Sequence, residues 1–182
     1  MVRFLVRIVV VLLVLAAILY GVGSTMPRDH LVASRVQLTA PRDSVWAVLS
    51  AFGDYPKWDS DFKSSVRGKP HRGREVWVQE AGRMTMSLEV KSAQAPSRLV
   101  TEIVTDDKSD WGGVWTYDLV ANGIGTEVTI TEDGWIKPPL FRVLMRVMGT
   151  HATMDGVLKS LGARFGDQVA PEHIHSTVDG GR

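Results

Sequence analysis

The chain has 182 residues, 45% of them hydrophobic, which suits one globular domain with an appendage. It contains no cysteine, so disulfides, thiolate metal sites and a cysteine nucleophile are all excluded. The net charge is +1, and once Arg3 and Arg7 are set aside the rest is close to balance without a long basic run, which argues against a nucleic-acid partner.

Ile8 to Gly23 carries no charge and follows Arg3 and Arg7. Taken as residues 4–25 it reaches about 20 residues, the length that crosses a bilayer as a helix. Two readings of residues 1–25 are open. One is an uncleaved signal-anchor, with the arginine-bearing end held in the cytoplasm by the positive-inside rule. The other is a signal peptide cleaved after the small residues at Gly21-Val22-Gly23, giving a secreted product. Length and bulk favour the anchor, and both readings put the domain outside the cytoplasm. Residues 26–31 follow as a polar linker.

Val32 to Thr39 reads as a first strand. Pro41 and Asp43 then mark a helix start, and Val45, Trp46, Val48, Leu49 and Phe52 give that helix an apolar face. Gly53-Asp54-Tyr55-Pro56 ends it. From Phe62 onward the pattern is β. Met84, Met86, Leu88 and Val90 alternate with Thr85, Ser87, Glu89 and Lys91 in the clearest half-buried strand of the chain. Trp111, Trp115, Tyr117 and Leu119 share one face of a later strand, where Gly112-Gly113 suggests a bulge that helps the sheet curl. Ala121 to Gly125 is a hairpin turn, and Thr126 to Ile136 closes the sheet.

Residues 138–165 give the last long pattern. Leu140, Leu144, Val147, His151, Met154, Leu158, Leu161 and Phe165 recur at spacings of four and three, one face of a single long helix. Arg142, Arg146, Thr153 and Ser160 fall on the opposite face. Gly149, Gly156 and Gly162 each weaken a helix by about 1 kcal/mol, less than the burial of the stripe returns. Residues 169–182 lack periodicity and are expected to be disordered.

The predicted fold class is therefore α+β: a curved antiparallel sheet of about seven strands wrapped on a long C-terminal helix, preceded by an N-terminal transmembrane helix. This order, with Ala40-Pro41, Val45-Trp46-Ala47-Val48-Leu49 and Phe52-Gly53-Asp54-Tyr55-Pro56-Lys57-Trp58, resembles the START-like helix-grip superfamily. Within it the chain is most similar to the polyketide cyclase/dehydrase and lipid-transport group, over residues 32–168. The resemblance implies an apolar cavity between sheet and last helix that holds lipids, polyketides or other hydrophobic molecules. The membrane segment is a departure from the typical member.

On that reading the candidate ligand-binding residues are Met84, Met86, Leu88, Trp111, Trp115, Tyr117, His151 and Met154, with an ordinary filled core as the competing reading. Thioether and aromatic groups adapt to irregular apolar ligands, and Trp and Tyr each add a donor. His151 is the polar residue on the helix seam. It is either a satisfied helical histidine, a contact to a ligand's polar end, or an acid–base group. Glu132 shares strand parity with Val128 and Ile130 and points to the cavity rim. Asp106, Asp107 and Asp110 form a solvated loop tip or a weak cation site, and His173 and His175 fall in the tail. Without a phosphate loop, a Gly-x-Ser-x-Gly elbow or a His-Glu-x-x-His helix, the sequence names no catalytic residue, cofactor or metal.

The expected function is a membrane-anchored module that binds a hydrophobic small molecule or lipid. The alternatives are a cyclase or dehydratase using His151 and Tyr117, or a structural module docking a membrane partner through the small-residue strip Gly149, Thr153, Gly156, Ser160 and Ala163.

Overall fold

A computed structural model describes residues 2–82 and 84–174. Helix α1 (Val2–Thr25) is followed by strand β1 (Asp29–Leu38), helix α2 (Arg42–Ser50), a 3-10 turn (Phe52–Asp54) and the short helix α3 (Tyr55–Trp58). Six strands come next: β2 (Phe62–Arg67), β3 (Val76–Ala81), β4 (Met84–Gln94), β5 (Arg98–Ile103), β6 (Trp111–Asn122) and β7 (Gly125–Ile136). Helices α4 (Pro139–Met148) and α5 (Ala152–Arg164) follow, and β8 (Glu172–Ile174) ends the described chain.

The strands form one antiparallel sheet in the order β2-β3-β4-β5-β6-β7-β1-β8. Consecutive hairpins run from β2 to β7, and β1 returns to pair with β7 along its whole length, from Asp29 opposite Trp135 to Leu38 opposite Thr126. The α2–α3 segment carries the chain from β1 to the far edge, where β2 begins. Strand β1 starts at Asp29 and not Val32, so the linker is shorter than the sequence suggests.

The core lies where alternating strand residues meet the helical stripes. Leu38, Leu99, Leu119, Val128 and Ile130 of the sheet pack with Val45 and Leu49 of α2 and with Met154, Leu158 and Leu161 of α5, all buried. Each such side chain contributes about 1.5–3 kcal/mol on burial, more than the roughly 1 kcal/mol lost at Gly156 or Gly162, so α5 runs through both glycines.

At Gly149 the same competition has the other outcome. The expected single helix is two helices, parted at Gly149, whose φ of 95° and ψ of 125° suit a residue without a side chain. The reason is that only the second half of the stripe is covered by the sheet. Leu140, Leu144 and Val147 remain exposed, so no burial energy holds the first half in line with the second. Helix α4 instead packs beside α1, and Gly23 sits so close that a Cβ there would lie 2.1 Å from the Pro139 carbonyl oxygen.

Two further expectations are corrected. The strand count is eight, because residues 172–174, expected to be disordered, pair with the free edge of β1. Arg35 Nε donates to Glu172 Oε2 at 2.9 Å, and Asp167 accepts from the Thr39 amide and hydroxyl, so the segment after α5 is tied down; residues 175–182, including His175, lie outside the described residues. The β6–β7 ladder runs through Gly112 and Gly113 in unbroken register, opposite Trp135 and Gly134, so there is no bulge. A Cβ at Gly112 would instead fall 2.8 Å from the Trp135 ring. In the small-residue strip of the last helix, Gly156 faces Asp61 of its own chain, while Thr153 and Ala163 stay exposed.

Candidate functional site

A cavity of about 410 Å³ opens at the end of the sheet that faces α4. Strand β4 supplies Met84 and Met86 to its wall, β5 Ile103, β6 Trp111 and Trp115, and β7 Glu132, Trp135 and Ile136. Period-two alternation aims Met84, Met86, Trp111 and Trp115 to one side of the sheet, as the sequence predicts. Helix α4 closes the opposite side with Phe141, Arg142, Met145 and Arg146, while Thr150 stands at the break and Thr153 in the first turn of α5. Met26 to His30, the connection from α1 into β1, completes the wall.

The lining is apolar with a charged margin. His30 Nε2 lies 3.4 Å from Glu132 Oε1, a long contact in which both side chains keep some exposure. Arg142 is buried; its Nη1 donates to the Met26 carbonyl and its Nη2 to the Lys137 carbonyl at 3.2 Å, while its Nε has no partner. It thereby ties the end of the α1 connection to the start of α4. Its expected place on the outer face of a straight helix is corrected by the kink, which turns that face toward the cavity. Arg28, Arg142 and Arg146 stand against Asp29 and Glu132 among the lining charges.

Of the eight sequence candidates, Met84, Met86, Trp111 and Trp115 meet around this cavity. Leu88 lies further along β4 and is half-buried outside the lining. Met154 is fully buried in the core. Tyr117 is buried there too, its ring 6.1 Å from that of Trp115, and burial pushes its phenol far above the usual range. His151 belongs to a separate polar cluster under β8. Its Nδ1 lies 3.1 Å from Ser34 Oγ, which donates to Asp155 Oδ1 at 2.8 Å, and its ring stacks on His173 at 3.9 Å. His173 in turn contacts Asp155 at 2.8 Å. Glu132 does reach the cavity, but its histidine partner is His30 and not His151.

The lining residues that sequence reasoning missed are those of the α1 connection and of the second face of α4. Phe141 and Met145, four apart, carry a helical signal of their own. It was masked by the stronger stripe at Leu140, Leu144 and Val147. Nothing local marks His30, which is brought in by the pairing of β1 with β7. In the acidic loop, Asp106 accepts from the Lys108 amide and the Ser109 hydroxyl, and the Ser109 contact holds its carboxyl below the ordinary value. Among the described residues no group of three or more His, Asp or Glu side chains is placed to hold a metal ion.

Comparison with known proteins gives a consistent picture of the fold. A family profile described as polyketide cyclase / dehydrase and lipid transport matches residues 29–166. No curated protein matches the chain. Among solved structures, a START superfamily protein from Mycobacterium smegmatis superposes with a TM-score of 0.56 at 16% identity, over 76% of this chain and 97% of that one. The di-domain ARO/CYC proteins StfQ, from the steffimycin biosynthetic pathway, and BexL, from the BE-7585A pathway, give TM-scores of 0.61 and 0.63 at 12% and 10% identity. The alignments cover 76% and 80% of this chain, and the chain spans about half the length of those two proteins, 51% and 53%. At these identities the likeness is one of fold.

Proposed function

Because the chain belongs to the polyketide cyclase / dehydrase and lipid transport family, we propose that it is a membrane-anchored module that holds a hydrophobic small molecule or lipid in the cavity beside α4. The observation that carries this reading is the position of the cavity. Its wall includes Met26 and Pro27, the residues that directly follow α1, so the hollow lies at the end of the domain nearest the apolar helix. Helix α1 is 24 residues long, about 36 Å, enough to cross a hydrocarbon core of about 30 Å. Arg3 and Arg7 at its start favour a cytoplasmic N-terminus and an extracytoplasmic domain. Tethering keeps the cavity where apolar ligands concentrate, raising their effective concentration without new contacts.

The cavity volume falls within the usual range for ligand sites, roughly 300–1,000 Å³. Methionine and tryptophan would cover the apolar body of the ligand. Its polar end would meet Arg28, Arg146, the unpartnered Nε of Arg142 or the His30–Glu132 pair, in place of His151 and Tyr117. The test is native mass spectrometry of the full chain released gently from detergent, together with uptake of a fluorescent fatty-acid probe. Wild-type protein is expected to carry or take up one apolar molecule, and Met86→Trp, which fills the hollow, to lose it. A folded wild-type chain that neither carries nor takes up such a molecule overturns the proposal.

A second reading, ring closure or dehydration of a hydrophobic substrate, draws on the His30–Glu132 pair, the acid–base candidates in the cavity wall. It predicts that His30→Ala lowers turnover by orders of magnitude, whereas a carrier should lose only modest affinity.

A further inference from the structure

Helix α4 has two apolar faces, and the cavity accounts for one of them. Phe141, Met145 and both arginines turn toward the hollow. On the other side Leu140, Leu144, Val147 and Met148 form a continuous stripe with relative exposures of 49%, 49%, 80% and 63%. The spacing of four, three and one places them on one side of the helix, and the stripe contains no charged or hydrogen-bonding side chain.

The geometry points to a bilayer as the occupant of this stripe: we propose that α4 lies in the outer membrane interface as a second, peripheral contact, with Leu140, Leu144, Val147 and Met148 in the upper acyl region. The inference rests on the reading of α1 as a membrane span. If α1 crosses the hydrocarbon, its last turn sits at the headgroup boundary. Gly23 in that turn is the residue pressed against the Pro139 carbonyl, so α4 begins at the depth where α1 leaves the membrane. The stripe then continues an apolar surface that α1 already exposes on all sides. A helix with one apolar open face and its cations on the other side matches the pattern of interfacial helices. Here the cations are directed inward: Arg142 is spent on the Met26 and Lys137 carbonyls, and Arg146 lies at the cavity margin. The consequence is that a single helix separates the hollow from the lipid.

The absence of native cysteine makes the test direct. Single variants Leu12→Cys, Val147→Cys and Val120→Cys of the full chain are labelled with bimane and placed in phosphatidylcholine nanodiscs containing lipids spin-labelled on the acyl chain. Val120, exposed on β6, is the aqueous control. The expected result is loss of emission by lipid quenching at positions 12 and 147, with a blue shift at 147, and quenching by iodide alone at 120. If 147 behaves like 120 while 12 is quenched by lipid, the anchor stands and the α4 contact is overturned. If 12 is not quenched by lipid, the anchor reading fails and takes the α4 contact with it. A blue-shifted label at 147 that neither quencher reaches means that protein, such as a second copy, covers the stripe, and this too overturns the proposal.

Discussion

Asp59 and Glu89 are both buried carboxylates, and their neighbours push them in opposite directions. Asp59 is raised above the usual range chiefly by burial: Oδ1 accepts the Asp61 amide at 3.1 Å, but Oδ2 has no partner. Glu89 is held below the usual range, first by Arg74 Nη1 at 2.6 Å and then by His71 Nδ1 at 2.5 Å. A raised folded pKa means the native state binds the proton more tightly than the unfolded chain, so Asp59 favours folding in acid and disfavours it as pH rises through its folded pKa. Asp59→Asn keeps an acceptor for the Asp61 amide and removes the charge. It is expected to stabilise the domain at pH 7 by about 1 kcal/mol, a gain that fades as pH falls toward the ordinary carboxylate value. Glu89→Gln has the opposite sign. It should cost about 1 kcal/mol at pH 7, limited because Arg74 and His71 stay partly in water, and the cost should vanish as pH falls through the depressed pKa. Urea unfolding from pH 7 down to about pH 2 reads both.

Among the elements, the break between α4 and α5 decides most about the site, because a straight helix would not turn Phe141, Arg142 and Met145 onto the cavity. Gly149 makes the break at φ 95°, so Gly149→Ala is expected to cost about 1–3 kcal/mol through backbone strain, seen as a lower midpoint in urea. A gain in stability and in helical circular dichroism would mean that the two helices prefer to fuse. The sequence hid this break for a physical reason. The spacing from Leu140 to Phe165 is regular across Gly149, and periodicity shows that a face is apolar without showing what covers it. Strand β8 was hidden for another: Glu172-His173-Ile174 has no pattern of its own and is ordered by the open edge of β1. What was legible was what local alternation determines: β4, the β6–β7 hairpin, α5, and with them Met84, Met86, Trp111 and Trp115. His30 and Arg142 depend on contacts more than a hundred residues away and left no local trace.

At the scale of the whole molecule, one sheet serves two ends with different packing. Around α2 and α5 the interior is solid: Leu158, Leu161 and Met154 are fully buried against Leu38, Leu99 and Ile130. Beside α4 the same sheet faces a hollow, and Met86 there is only half-buried. A cavity is tolerable because the filled end supplies most of the burial energy, and a site kept open contributes little of it. Matched truncations should therefore separate stability from binding. Leu158→Ala removes methylenes from close-packed surroundings and is expected to cost about 2–5 kcal/mol in urea unfolding, with affinity per folded molecule unchanged. Met86→Ala only enlarges a space already open and should cost less than about 1 kcal/mol, while weakening retention of the fatty-acid probe. Equal stability losses for the two variants would mean that the α4 end closes into an ordinary core, and the carrier reading would then lose its site.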